Sequence, residues 1–340
     1  MARIRLGVIG CGGMANAHVS RFEGLGNRMR VTAAVDTDLE RANAVATKFP
    51  GAITAPDYRM IVDHVDAVLI ALPHHLHRDA SVFFLDAGKH VLLEKPMANT
   101  ERECLDIIEA AERAKRTLMI AYVMRFDPCV TRLRELLQSG EYGECFQLSI
   151  WTEQHTEREP SNWMCRAETL GGGQLFSHGC HYIDLLLWYL GEPVSGVHVG
   201  TNLGTPWMEM EGTSNVSIRF ANGALGYHFG TWGARGTRLG YSFHAHCTEG
   251  MLEYRRSDPS FRGERLIFHS GGREEVLLSA ENAKPTRDEM THFLDCVETG
   301  AEPITNGRDS LAGLQVIWRL YEAERRGELA DLRGLRLERV

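Results

Sequence analysis

The stretch GVIGCGGMA, residues 7–15, restricts the fold of this chain more than any other. A short apolar run from Arg3 to Ile9 ends in glycines, and a helical pattern from Met14 to Phe22 follows at once. Gly10, Gly12 and Ala15 fit G-x-G-x-x-[G/A]. Glycines are common in turns, so the spacing alone says little; between a strand and a helix, each position has a task. Gly10 makes the tight turn, Gly12 lets backbone approach a pyrophosphate, and Ala15 allows close helix–strand packing. The N–H groups of the helix start, at Gly13 and Met14, then face the negative charge. A plain strand–turn–helix connection would show the same letters.

Asp36 ends the second strand, Val31 to Val35, at roughly the 20-residue spacing expected of a ribose-binding acid. A carboxylate there accepts from both ribose hydroxyls and repels a 2′-phosphate, which predicts NAD in preference to NADP. Asp36 could equally begin a turn or cap the next helix, since Asp38 sits beside it.

The same alternation continues. Leu39 to Phe49 is helical, Asp66 to Ala71 a buried strand, and His75 to Ala87 helical up to the stop at Gly88. His90 to Glu94 is a strand, Thr100 to Lys115 a helix and Leu118 to Ala121 a strand. Apolar strands separated by helices predict a doubly wound parallel sheet, a Rossmann domain, over residues 1–122. After Tyr122 the rhythm changes. A helix (Val130 to Gln138), a strand (Cys145 to Thr152), a polar segment and a helix near His181 to Leu190 lead into a strand-rich stretch. Thr213 to Phe220 alternates, with Val216, Ile218 and Phe220 on one side; Leu225, Tyr227 and Phe229 repeat the pattern after a hairpin signal at Ala221-Asn222-Gly223. Residues 123–340 are therefore expected to form an α+β domain with a large open, mainly antiparallel sheet. Its last helix, about 309–326, carries Leu311, Leu314, Trp318 and Tyr321 on one stripe and is open to packing back on the first domain. An exposed sheet face there favours a homodimer or homotetramer.

A length of 340 residues suits two such domains. The net charge of −8 shows no basic stripe, so a nucleic-acid partner is not expected. Arg255, Arg256, Arg262 and Arg265 are interleaved with acids and read as a solvated loop or strand edge. No run of 18 apolar residues suggests a membrane span, and MARIRLGVIG is too short in its apolar part for a signal peptide. The eight cysteines are scattered without a C-x-x-C pair, which argues against a zinc ribbon and for a reducing, cytoplasmic setting.

Two strand exits carry unusual chemistry. ALPHHLHRDA, residues 71–80, leaves the apolar strand Asp66 to Ala71 at the edge where open parallel sheets bind ligands. Leu72, Pro73, His74 and His77 are candidates to line a cofactor crevice; a metal role lacks further ligands, and ordinary helix-start histidines fit equally. HVLLEKPMA, residues 90–98, ends a buried strand in Glu94, Lys95 and Pro96. Charge at the end of an apolar strand needs a reason. Proline keeps Lys95 extended, and a lysine there could stabilise a substrate alkoxide. An ion pair that merely closes the strand is the other reading.

GVIGCGGMA, AVD, ALPHHLH, LLEKPMA, MRFDP (124–128) and GGGQLFSHGCHYIDLLLWYLGEP (171–193), in this order, resemble the glucose–fructose oxidoreductase/inositol dehydrogenase/MocA family over most of the chain. The resemblance implies NAD(P)-dependent hydride transfer at a hydroxyl or carbonyl carbon of a sugar, polyol or inositol-like substrate. It implies a catalytic, substrate-binding role for Lys95 and an acid/base role for His181, whose imidazole suits neutral pH. Asp184, one helical turn on, would orient His181 or pack beside it. Ser177 stands where the family has an aspartate, which opens a change of substrate or a loss of catalysis. Relatives that act as NAD-dependent glycosidases or lyases, and a non-catalytic sugar sensor, are the rival classes. Arg125, Trp163 and Arg166 are candidate substrate contacts, with a packed aromatic and a surface arginine as the alternative for the last two; Tyr122 is a weaker one. The loops at about 153–170 and 232–240 would set specificity.

Overall fold

In the computed structural model, residues 3–256, 263–280 and 284–338 are described. The chain divides into two compact units, residues 1–123 with 285–311, and residues 124–284 with 312–340.

The first unit is built on a parallel sheet. In chain order its elements are β1 (Ile4–Ile9), α1 (Gly13–Val19), β2 (Met29–Val35), α2 (Leu39–Ala46), β3 (Ile53–Ala55), β4 (Ala67–Ile70), α3 (His77–Asp86), β5 (His90–Leu93), α4 (Glu101–Ala114) and β6 (Leu118–Ile120). The strand order is β3-β2-β1-β4-β5-β6. The sheet therefore grows outward in both directions from the β1–β4 neighbours, and the order reverses there, where open α/β sheets place their ligand crevice. β4 is buried along its whole length, as a strand covered on both faces requires. Thr100 caps α4 in a reciprocal capping box with Glu103, which fixes where the chain turns from the E-K-P strand into that helix.

The second unit contains α5 (Pro128–Ser139), β7 (Cys145–Glu153), α6 (Ala167–Leu170), α7 (Cys180–Leu190), β8 (Pro193–Thr201), β9 (Thr213–Phe220), β10 (Leu225–Thr231), β11 (Tyr241–Cys247), β12 (Gly250–Arg256), β13 (Glu264–Ser270) and β14 (Arg273–Ala280). α8 (Thr286–Thr299) belongs to the first unit; α9 (Gly307–Arg326) begins in the first and continues in the second, followed by β15 (Ala330–Asp331). The described strands form one sheet, β14-β13-β12-β11-β7-β10-β9-β8-β15, antiparallel except where β10 runs parallel to β7. No described helix is long and apolar enough to cross a membrane.

Two sequence expectations are corrected here. Leu225, Tyr227 and Phe229 do not share the inward face of Val216 and Ile218. Gly226 and His228 pair directly opposite Ile218 and Val216 and take that face instead, because a Cβ at Gly226 would stand 2.8 Å from Phe220 and 3.1 Å from Leu186 of α7. Close helix approach, rather than apolar character, decides the face. Arg255, Arg256 and Arg265 lie within the paired strands β12 and β13. Glu253 pairs with Arg255 at 2.7 Å and Glu264 with Arg256 at 3.1 Å. Arg262 lies outside the described residues.

Candidate functional site

In the first unit the exits of β1, β4 and β5 are in register. Ile9 pairs with Ile70, and Ile70 with Leu93. Gly10, Ala71 and Glu94 therefore leave the sheet side by side, at the roughly 4.8 Å spacing of neighbouring strands. Gly10 turns at φ 81°, where an L side chain is strained, and a Cβ there would meet the Ala71 carbonyl oxygen at 2.5 Å. Glycine is thus required by both backbone conformation and space.

The glycine turn is held from two sides. The Asp36 carboxylate accepts from the Cys11 N–H at 2.9 Å and, through its other oxygen, from the Asp38 N–H at 2.9 Å. Asn16 donates to the Cys11 and Gly12 carbonyls. Gly12 caps α1 without a side chain, and nothing lies within 4 Å of where a Cβ at Gly12 or Gly13 would stand. Open space above an uncapped helix start, beside a half-buried carboxylate with acceptor capacity left, fits a dinucleotide. Met14 sits in the same first turn.

Leu72 and Pro73 are half-buried and His74 buried, in the short 3₁₀ turn before α3. His77 is wholly buried and reaches two exits at once: Nδ1 lies 2.9 Å from the Pro96 carbonyl and Nε2 2.9 Å from the Leu72 carbonyl. Burial pulls its pKa down, while the two carbonyls oppose that shift. As a neutral imidazole it donates to one of these carbonyls and packs against the other, filling the space between the exits rather than offering a surface. Glu94 is buried and Lys95 half-buried, and the Lys95–Pro96 bond is cis. Tyr122, also of this unit, is buried with its hydroxyl 3.3 Å from Ser310.

In the second unit a π-helical segment, Leu175–Gly179, leads into α7. Such segments recur at functional sites. Glu211 anchors it: the Leu175 N–H donates to Oε1 at 3.2 Å and the Tyr321 hydroxyl to the same oxygen at 2.6 Å. Burial pushes the Glu211 pKa up to about 7. Ser177 is buried within the segment and His181 is 7% exposed in the first turn of α7. Asp184 is held by Arg125 in a bidentate pair, at 2.7 Å and 2.6 Å. Both side chains are buried, and the guanidinium also lies 4.9 Å from the Trp188 ring centre. Trp163 packs against Leu170, Met208 and Trp232, while Arg166 is exposed, 3.9 Å from Glu209.

Sequence reading passed over two residues here. His18 lies on the buried stripe of α1 with Ala15 and Val19; a polar side chain on an apolar stripe was the available signal. His178, half-buried among Tyr182, Trp232 and Tyr241, carried no signal beyond its place beside Ser177.

The profile of the oxidoreductase family with NAD-binding Rossmann fold, GFO_IDH_MocA, matches residues 4–122, and the GFO/IDH/MocA C-terminal domain matches residues 130–253. The chain belongs to this family. The family member is 32% identical over 200 residues to inositol 2-dehydrogenase of Corynebacterium glutamicum, a match covering 58% of this chain and 57% of the relative. It thus spans little more than half the length of that relative. Levoglucosan dehydrogenase of Pseudarthrobacter phenanthrenivorans is 27% identical over 297 residues, covering 76% of this chain and 75% of that protein. Among solved structures, aldose–aldose oxidoreductase from Caulobacter crescentus, complexed with glycerol, superposes with a TM-score of 0.85 at 26% identity, over 97% of this chain and 100% of that one.

Proposed function

We propose that this protein is an NAD-dependent dehydrogenase acting on a hydroxyl-bearing carbon of a sugar, polyol or inositol-like substrate. The in-register exits of β1, β4 and β5 carry the reading, because they set the glycine turn, Leu72 to His74 and Lys95 on adjacent strands around the strand-order reversal. NAD, when bound, takes hydride from such a carbon or returns it to the carbonyl. Lys95 hydrogen-bonds the reacting oxygen and stabilises its developing negative charge. His181 accepts the hydroxyl proton and gives it back in the reverse direction. Residues 1–122 serve the cofactor, supported by 285–311, which fold with the first unit, and the rest of 123–340 serves the substrate and self-association.

Absorbance at the NADH band, screened with inositols, aldoses, anhydrosugars and polyols, is expected to reveal turnover. Lys95→Met should lower kcat by about 10²-fold or more, as loss of an oxyanion donor does. Full activity in Lys95→Met would overturn the assignment.

Self-association rests on the outward face of the second sheet. Val197, Val199 and Leu225 are 41%, 63% and 46% exposed there, next to half-buried Trp151 and Tyr227. Light scattering that returned a monomer at micromolar concentration would reject it.

A further inference from the structure

We infer that His18 is a positioning residue for Lys95, acting through Glu94; this rests on the reading of Lys95 given above. Three buried titratable side chains from three separate elements meet in the first unit. His18 of α1 is wholly buried, and its Nε2 lies 2.8 Å from Oε1 of Glu94. The other oxygen of Glu94 accepts the backbone N–H of Lys95 at 3.2 Å. Nδ1 of His18 faces Oε2 of Glu289 in α8 at 3.9 Å, and Glu289 is likewise wholly buried. With Glu94 ionised its carboxylate only accepts, and the donor in this pair is then Nε2 of His18.

The carboxylate of Glu94 is thus pinned at both oxygens, by the imidazole on one side and by the lysine's own amide on the other. That fixes the backbone from which the Lys95 side chain departs. α1 is itself tied to the glycine turn through Asn16 and to α8 through the Thr286 hydroxyl, which donates to the Ala17 carbonyl. The segment that begins the cofactor turn therefore also sets the origin of the lysine. The Glu289 carboxylate faces the far side of the imidazole beyond hydrogen-bond distance, at 3.9 Å. His77 and Lys95 also act electrostatically in this cluster, and Nδ1 of His77 lies 2.9 Å from the Pro96 carbonyl of the same turn.

The two nitrogens of His18 can be separated by amide side chains. Gln places its Nε2 where the imidazole carries Nε2, and so keeps the donor to Glu94. Asn places its Nδ2 where the imidazole carries Nδ1, and so keeps only the side facing Glu289. His18→Gln is expected to retain kcat within about threefold, whereas His18→Asn loses between about 10- and 100-fold, the penalty of a misplaced group. KM for NAD should hold within about twofold in both. In a Lys95→Met background His18→Asn should lower kcat no further, because the lysine it positions is gone. Equal loss in Gln and Asn, or an Asn effect that multiplies with Lys95→Met, would overturn the inference.

A readout independent of turnover comes from the low lysine content, five in the whole chain. After reductive ¹³C-methylation, the Lys95 resonance, identified by its absence in Lys95→Met, should move in His18→Asn and stay in place in His18→Gln. If Lys95→Met retains full activity, the dehydrogenase role of Lys95 falls, and this resonance still decides the link: an unmoved peak in His18→Asn rejects it.

Discussion

Asp36 and Asp184 are both acids of a sequence motif, and the two units use them in opposite ways. Asp36, just after β2, is half-buried, and among the described residues its carboxylate accepts the N–H groups of Cys11 and Asp38, one to each oxygen. Each oxygen keeps a lone pair for a ligand. Asp184 in α7 is buried and engaged at both oxygens by Arg125, which is buried as well. Asp36 is steadied by backbone donors and left partly open, as the cofactor role proposed above requires. Asp184 is neutralised by a guanidinium and closed off. The same contrast separates Lys95, half-buried on a pinned turn, from Arg125, named in sequence reading as a substrate contact and placed instead inside an ion pair.

The sharpest way to break this comparison is to remove the guanidinium. Arg125→Ala leaves Asp184 buried without its counter-charge and should cost about 3–5 kcal/mol of stability. Asp36→Asn keeps an acceptor for the Cys11 N–H and loses the one for the Asp38 N–H, and at this half-exposed position should cost only about 1 kcal/mol. Urea unfolding of both variants measures the difference. A loss below about 1 kcal/mol in Arg125→Ala would mean that Asp184 is solvated or otherwise paired, and the contrast would disappear.

A second test uses the histidines buried as neutral groups. His228 faces inward from β10, with Nε2 3.2 Å from the Thr152 hydroxyl and its ring stacked on Tyr182 at 5.1 Å. Burial pulls its pKa down to about 3. The unfolded chain takes up this proton near pH 6.5, the folded chain only near 3, so the contribution is complete above 6.5 and is lost as pH falls toward 3. At pH 5 the loss is about 2 kcal/mol. His90, drawn down to about 4 by burial, adds in the same direction. Glu211 works against both: its raised pKa favours the folded state below about 4.5 and that contribution is lost as pH rises through about 7. His228→Gln should therefore lose about 2 kcal/mol less than the parent between pH 7 and pH 5. Equal losses would show that this imidazole already has access to solvent protons.

What could be read from the letters follows the range of the forces involved. The parallel sheet was legible because strands such as β4 and β6 are buried along their whole length and helices begin or end on local signals, Thr100 before α4 for example, whereas the short edge strand β3, with Ile53 exposed, was not read. The glycine turn was legible because Gly10 is dictated by its own backbone and by the adjacent strand. In the second unit the face of β10 was misread, since Gly226 and His228 are chosen by α7 packing from far along the chain. Arg125–Asp184 and His18–Glu94–Glu289 join residues 59, 76 and 271 positions apart, and no local period encodes such pairs. Short-range rules find the frame of the candidate site. They do not find which of its charges are already spent.

Asp36 supplies the smallest effect and the finest test. On the function proposed above, its carboxylate faces a ribose whose 2′-position is a hydroxyl in NAD and a phosphate in NADP. A hydroxyl donates to the free lone pairs, whereas a phosphate meets like charge at close range. Asp36→Asn retains an acceptor for the Cys11 N–H and so keeps the glycine turn, while removing the charge. The ratio of NADPH to NADH dissociation constants should fall by about tenfold, or about 1.4 kcal/mol, read by fluorescence titration of each nucleotide. The change should shrink at high salt, because a half-exposed charge is screened. NADPH binding the parent protein as tightly as NADH, or a ratio unmoved in Asp36→Asn, would mean that this acid, like Asp184, serves the turn alone.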